Sequence, residues 1–338
     1  MNRHPLLHAL LSICISFMAG IVFLLAAPLQ SEAADPISRM NFFFDTVITI
    51  TIYDSQDETI LDDCNKLMAR YESLLSRTVE GSDIWNINHS EGKSVVISDE
   101  TADILEKALH YCTLSDGAFD ITIAPVVSLW DFHEDSERII PEENLVREAL
   151  SHVDYHIVNL DGNTVTLSDP AGAIDLGAIA KGYISDGLRD LLLSRGVNSA
   201  LIDLGGNIMS VGSKQDGSPW RIGIRKPFAG MSDLIDIAQI RSGSVITSGS
   251  YERYFIVDDV LYHHILDPTT GFPVKNELIS VTILSENGTD GDALSTTCFV
   301  LGTEKGLELI ESLDGIEALF ISEDGQKKYS SGWDSTAD

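Results

Sequence analysis

Between Phe42 and Ser322, strand-like and helix-like segments follow one another without a regular period. That irregularity constrains the fold most. A doubly wound parallel sheet needs strands and crossover helices in strict alternation, so this pattern favours an α+β architecture. Phe42 to Tyr53 is rich in Thr, Val and Ile and alternates as a strand does. Thr59 to Leu75 has helical spacing, with Ile60, Cys64, Leu67, Met68 and Tyr71 largely on one face. Asp99 to Ser115 reads as a second helix, and Ile140 to Val153 as a third with Pro141 in its first turn. His156–Leu160 and Thr164–Leu167 flank Asp161-Gly162-Asn163 as a hairpin. Ala173–Leu176 and Ala200–Leu204 read as strands, with a helix from Tyr183 to Arg195 between them. Short strands are expected at Trp220–Ile224, Leu234–Ile240, Ser244–Ser248, Arg253–Val257, Leu261–Ile265, Ile279–Leu284 and Ala318–Ser322. Helices are expected at Ala293–Leu301 and Glu304–Leu313. No interior linker is visible, so the chain after its leader reads as one unit with two lobes.

The N-terminus stands apart. Arg3 and His4 precede the apolar run Leu6–Ala27, and Ser31-Glu32-Ala33-Ala34 offers small residues for cleavage. Residues 1–34 therefore read as a signal peptide or a retained membrane anchor, and either exports the remainder with Arg3 left inside. Residues 28–38 read as a linker, residues 35–325 as the functional domain and residues 326–338 as a loose tail. Of the 338 residues, 22 are basic and 52 acidic, a formal net charge of −30. A nucleic-acid partner is excluded on that balance, because phosphate backbones need basic patches. Any bound phosphate must be held locally, by a metal, backbone amides or a few cations. Cys64, Cys112 and Cys298 show no metal-type spacing and read as buried free thiols, with one disulfide as the alternative outside the cytoplasm.

Several segments carry candidate chemistry. Ile174-Asp175-Leu176-Gly177-Ala178-Ile179-Ala180-Lys181-Gly182-Tyr183 is an apolar run, a small-residue loop and a lysine at a helix start. Such a loop admits a ligand close to the backbone, and a helix N-terminus with a lysine suits a phosphate. Asp292 and Thr296 lie four apart, so on a helix both face one way and can reach one hard cation; Asp292 also suits a helix N-cap. His263 and His264 enter an Asp267-Pro268-Thr269-Thr270-Gly271 turn, and strand alternation sends only one of them to a site. Ser82-Asp83-Ile84-Trp85-Asn86 and Asp116-Gly117-Ala118-Phe119-Asp120-Ile121-Thr122 could hold a planar ring by stacking and hydrogen bonds. No nucleophile elbow, Walker loop or dinucleotide-type glycine pattern is present.

In this order, these segments resemble the ApbE family of FAD:protein FMN transferases. Phe44-Asp45-Thr46, Asp203-Leu204-Gly205-Gly206-Asn207 and Thr247-Ser248-Gly249-Ser250-Tyr251 add to the match, which covers residues 40 to 322. The resemblance implies a two-lobed α+β fold related to the T-fold, with FAD between the lobes. It implies Mg²⁺-dependent transfer of the FMN moiety of FAD to a threonine hydroxyl of an acceptor protein, releasing AMP. Acceptors would be flavin-bearing subunits of membrane redox complexes, or exported flavoproteins. The match places Ala178, Asp292 and Thr296 at the metal. It places Phe44, Asp83, Ile84, Trp85, Asp120, Lys181 and Ile265 at FAD. Phe44 stands where the family often has methionine; its ring can still pack on the flavin or adenine. His264 is the candidate general base and Asp292 its rival. A flavin-binding protein without turnover, or a pyrophosphatase that cuts FAD to FMN and AMP, remain the alternatives.

Overall fold

The computed structural model describes residues 35–132, 137–230 and 232–334. The leader expected at residues 1–34 lies outside the described residues. Its central element is an eight-stranded antiparallel sheet in the order β1-β2-β6-β7-β10-β13-β14-β15. The strands are β1 (Ile37–Phe43), β2 (Thr46–Ile52), β6 (Ala200–Leu204), β7 (Asn207–Val211), β10 (Gly243–Gly249), β13 (Leu278–Ser285), β14 (Glu317–Ser322) and β15 (Lys327–Tyr329). Smaller sheets are β3-β5-β4 (Val95–Val96, Thr164–Leu167, Val158–Asp161), β8-β9 (Trp220–Arg225, Leu234–Ile240) and β11-β12 (Tyr254–Val257, Val260–His263).

Strand β2 shows why the sheet has two unlike faces. Successive side chains alternate. Ile48, Ile50 and Ile52 are 0%, 1% and 0% exposed and join the main core. Val47, Thr49 and Thr51 point the other way and line a cleft. Burying each isoleucine contributes roughly 1.5–3 kcal/mol, which fixes the register because a one-residue slip would exchange the faces.

The buried face is covered by helices α1 (Thr59–Leu75), α6 (Ala180–Ser194) and α7 (Gly288–Glu311), with α2 (Asp83–Asn88) and α3 (Asp99–Leu114) completing the same core. The short helices α4 (Ala124–Val127) and α5 (Glu143–Leu150) sit with β11-β12 around a separate hydrophobic cluster that includes Trp130, Phe255 and Leu266. The β8-β9 hairpin has its own core with Val245, Leu319 and Trp333. Cys64, Cys112 and Cys298 are buried and free, as expected. Pro36–Asp338 forms one compact unit, an α+β fold. Among the described residues, no helix is long and apolar enough to cross a membrane.

Several expectations need correction. The strand from Phe42 to Tyr53 is a hairpin, because Phe44 and Asp45 take left-handed conformations (φ 54° and 55°) and turn the chain. The linker expected up to residue 38 therefore ends where β1 begins. Ala173–Leu176 makes only an isolated bridge between Ala173 and Ile123, and the run through Asp120 is not a strand. The third helix is shorter than expected, with Glu142 at its N-cap in extended conformation. Helix α7 starts at Gly288, ahead of Asp292, and breaks at Gly302 (φ 79°), where two separate helices were expected to part. The tail is not loose throughout: Lys327–Tyr329 pair with β14, and Trp333 is 8% exposed. Lys327 and Tyr329 both reach the buried carboxylate of Asp236 on β9, which explains the anchoring.

Candidate active site

A cleft of about 1690 Å³ is lined by the sheet face that carries Val47, Thr49 and Thr51 and by residues of α1, α6 and α7. Its floor is formed by Thr49, Asp203, Ile208 and Val245, which are cross-strand neighbours in one row. Its walls come from the 175–181 loop, α7, the β8-β9 hairpin, the turn after β1 and the chain after β12. Ala178, Lys181, His264, Asp292 and Thr296 all line it.

Asp292 is the most tightly held of these. It sits in the second turn of α7, so the N-cap role that its sequence context suits belongs instead to Asn287. The side chain is 4% exposed. One carboxylate oxygen accepts the backbone N–H of Gly182 at 2.9 Å, and the other accepts Asn207 Nδ2 at 3.1 Å. Gly182 lies in the first turn of α6. One N–H of this helix start is thus taken by the protein's own aspartate, while Lys181 lines the cleft beside it. The contact requires glycine: a Cβ at Gly182 would collide with the Gly288 carbonyl and stand 2.8 Å from Asp292 Cβ. Burial pushes the Asp292 pKa up, while Lys181, Gly182 N–H and Asn207 pull it down. Thr296, one turn on, has its hydroxyl 3.2 Å from Ser248 Oγ. Ala178, Asp292 and Thr296 together offer a carbonyl, a carboxylate and a hydroxyl. Among the described residues no group of three His, Cys, Asp or Glu side chains is placed to hold a metal ion. An oxygen-only set with one carboxylate fits Mg²⁺, which keeps waters and takes substrate phosphates alongside few protein ligands.

The two histidines separate as alternation predicts. His263 ends β12 and is 5% exposed; its Nε2 lies 3.1 Å from the Val274 carbonyl and its ring meets Phe299 edge-on. Burial lowers its pKa to about 4. His264 lies just past the strand and faces the cleft. Its Nδ1 is 3.3 Å from the Arg253 carbonyl. A carbonyl only accepts, so Nδ1 carries the proton and Nε2 keeps a lone pair. The ring is exposed to the cleft. Desolvation by the neighbouring protein, followed by His263, Lys181 and Arg253, pushes its pKa below the usual imidazole value, which favours the neutral ring at pH 7.

The remaining sequence candidates divide. Phe44 lines the cleft from the hairpin turn, where its N–H donates to Glu72 Oε1 at 2.8 Å. Ile265 lines it too, 5% exposed. Asp120 is at the wall, but its oxygens accept Thr122 N–H, Thr122 Oγ1 and Tyr155 N–H at 2.7, 2.6 and 3.0 Å, so it braces the loop. Burial raises its pKa against those bonds. Asp83, Ile84 and Trp85 are not brought to the cleft. Asp83 accepts Ser98 N–H, Ser98 Oγ and Thr101 Oγ1, tying α2 to the start of α3. Ile84 is 0% exposed in the core, and Trp85 stacks on His89 at 4.0 Å. Their pattern serves a helix junction, which corrects their assignment to a ring site. Sequence reasoning gave no role to Asn207 or Gly182, although the Gly205-Gly206-Asn207 and Lys181-Gly182 segments pointed at them. It also missed Arg77, whose Nε meets Asp175 at 2.9 Å and steadies the small-residue loop.

The ApbE family model matches residues 44–320. The chain belongs to the ApbE family. A FAD:protein FMN transferase of Klebsiella pneumoniae is 40% identical over 280 residues, 81% of this chain and 85% of that protein. One of Treponema pallidum is 35% identical over 315 residues, 87% of each chain. The crystal structure of the ApbE protein of Thermotoga maritima superposes with a TM-score of 0.81 at 34% identity, covering 88% of this chain and 97% of that one. The ApbE match includes every cleft segment described above, from the turn at Phe44 to helix α7.

Proposed function

We propose that this chain is a transferase that moves the FMN moiety of FAD to a threonine hydroxyl of an acceptor protein, releasing AMP, with Mg²⁺ held by Ala178, Asp292 and Thr296. The observation that carries the reading is the meeting of Lys181, His264, Asp292 and Thr296 in one cleft of an ApbE-family fold. The acceptor oxygen forms a bond to the phosphorus of the FMN half as the pyrophosphate bond breaks, and AMP leaves. His264 Nε2 takes the proton from the attacking hydroxyl, a task that needs a neutral ring. Lys181 supplies a point charge for the phosphates in a strongly acidic protein. Gly182 N–H and Asn207 hold Asp292 in one orientation, so its carboxylate does not reorganise during the reaction. Bound at these donors, Mg²⁺ supplies charge neutralisation and polarises the phosphorus. The ring of Phe44 and the apolar Ile265 give the flavin or adenine a surface to pack against.

The test is direct. The protein is mixed with FAD, MgCl₂ and a purified acceptor domain, and a denaturing gel is viewed under ultraviolet light. A fluorescent acceptor band with AMP release supports transfer. AMP without the band means FAD hydrolysis, and neither product means binding alone. The apolar Leu6–Ala27 segment supports work outside the cytoplasm, on subunits of membrane redox complexes or exported flavoproteins. A reporter active only after export, fused behind residues 1–40, should be active; an inactive reporter rejects that location.

A further inference from the structure

Among the described residues, strand β1 is an unpaired edge of the main sheet. It pairs with β2 in unbroken register over seven residues, from Ile37 to Phe43. Natural edge strands are usually guarded by proline, a bulge, an outward lysine or a covering element. Strand β1 has no proline, bulge or lysine. Its one charge, Arg39, is drawn to Asp62 and Glu58 beside α1. On the other face Ser38 pairs with Thr51, and the two apolar side chains are open: Met40 is 70% exposed and Phe42 is 68% exposed. Val47, cross-strand from Phe42, is 47% exposed and lines the cleft.

The backbone faces outward at the same residues. The two-residue turn at Phe44 and Asp45 closes on Phe43 and Thr46. Alternation then makes Phe42–Val47 a pair that exchanges no hydrogen bonds. The Val47 carbonyl confirms this, since it accepts Gly205 N–H on its β6 side. Ser38, Met40 and Phe42 therefore point their N–H and C=O groups to the unpaired edge. Met40, Thr49, Asp203 and Ile208 form one cross-strand row, so the exposed surface runs without interruption into the cleft floor.

We propose that β1 is the docking edge for the acceptor protein, which adds an extended segment beside it and passes its hydroxyl over the Phe44–Asp45 turn into the cleft. This rests on the transferase reading above. A protein acceptor must present its hydroxyl inside the cleft while its folded body stays outside. The edge supplies main-chain hydrogen bonds of any sequence, and Met40, Phe42 and Val47 supply contacts for alternate side chains. Strands lie about 4.8 Å apart, so from beside β1 to the β6 row is roughly 15 Å. About five extended residues cross that distance. The acceptor would therefore carry its reactive hydroxyl on a short extended stretch flanked by apolar residues.

Two substitutions in the full-length protein test this. Met40→Pro removes one outward N–H and leaves the β1–β2 ladder intact. Phe42→Ser removes the largest exposed anchor and keeps every backbone group, so it serves if the proline variant fails to fold. Each should raise the KM for the acceptor by about tenfold or more, the cost of one anchoring contact. The KM for FAD and kcat at saturating acceptor should stay at wild-type values. If the wild type does not flavinylate the acceptor at all, the transferase reading falls and this one with it. If the wild type does, and both variants keep its acceptor KM, the docking edge is overturned alone. It is also overturned if the wild type sediments as a dimer that Met40→Pro dissociates while acceptor KM stays unchanged; β1 would then join two copies of this chain.

Discussion

Two titratable side chains face the same cleft and are held there in opposite ways. Asp292 is buried, and both its oxygens accept hydrogen bonds from groups far away in sequence. His264 is open to the cleft, with one long contact from its ring to the Arg253 carbonyl. The aspartate is placed by helix packing: α6 and α7 approach closely because Gly182 and Gly288 carry no side chains. The histidine is placed by its neighbour, because a buried His263 at the end of β12 turns the next residue outward. The first arrangement suits a group that must hold a charge in fixed geometry. The second suits a group that must meet a proton arriving on another molecule.

The contrast breaks most readily at Asp292. Asp292→Ala removes the one carboxylate among the proposed metal donors, and Mg²⁺-dependent transfer should vanish while the fold survives. Wild-type rates at saturating Mg²⁺ would remove this residue from the mechanism. His264→Asn keeps size and a hydrogen bond but no proton acceptor. Transfer should fall by about 10²–10⁴-fold, the usual contribution of a general base, with FAD affinity unchanged. A silent His264→Asn beside a damaged His263→Asn would reverse the assignment of the two rings.

His263 sharpens the comparison through stability. Its pKa is lowered from 6.5 to about 4 by burial. The unfolded chain therefore binds a proton between those values that the native state refuses. Stability from this group is full above about pH 6.5 and is lost as pH falls toward 4. The loss is of the order of 3 kcal/mol, at 1.36 kcal/mol per unit. Melting curves of His263→Gln should show a shallower acid limb than wild type; parallel limbs would contradict the burial argument. The smallest effect is expected at Asn207. Asn207→Ala takes one donor from Asp292, and partners of metal-binding side chains typically contribute about 10–100-fold to metal affinity. The Mg²⁺ concentration for half-maximal transfer should rise in that range with kcat at saturation little changed. An unchanged Mg²⁺ curve would mean that Gly182 N–H alone orients the carboxylate.

What the sequence determined by itself follows from local periodicity and from the order of motifs. The helix Thr59–Leu75 and the strands Ala200–Leu204 and Leu234–Ile240 appear with the boundaries expected, because their burial pattern repeats within the segment. The small-residue loop, His264 and the Asp292–Thr296 spacing were legible as a set, and they do share one cleft. The tertiary structure decided what the same residue types do once distant partners arrive. Helix α7 begins at Gly288 because Asp186, on α6, accepts the N–H groups of Gly288 and Thr289 at 2.8 and 2.9 Å. That contact moved Asp292 from a helix cap to a buried position facing the cleft. Asp83, read as a ligand group, instead ties two helix starts together. Hydrogen bonds to a carboxylate depend on which N–H groups the fold brings near it, and no spacing within a segment records an approach across a hundred residues.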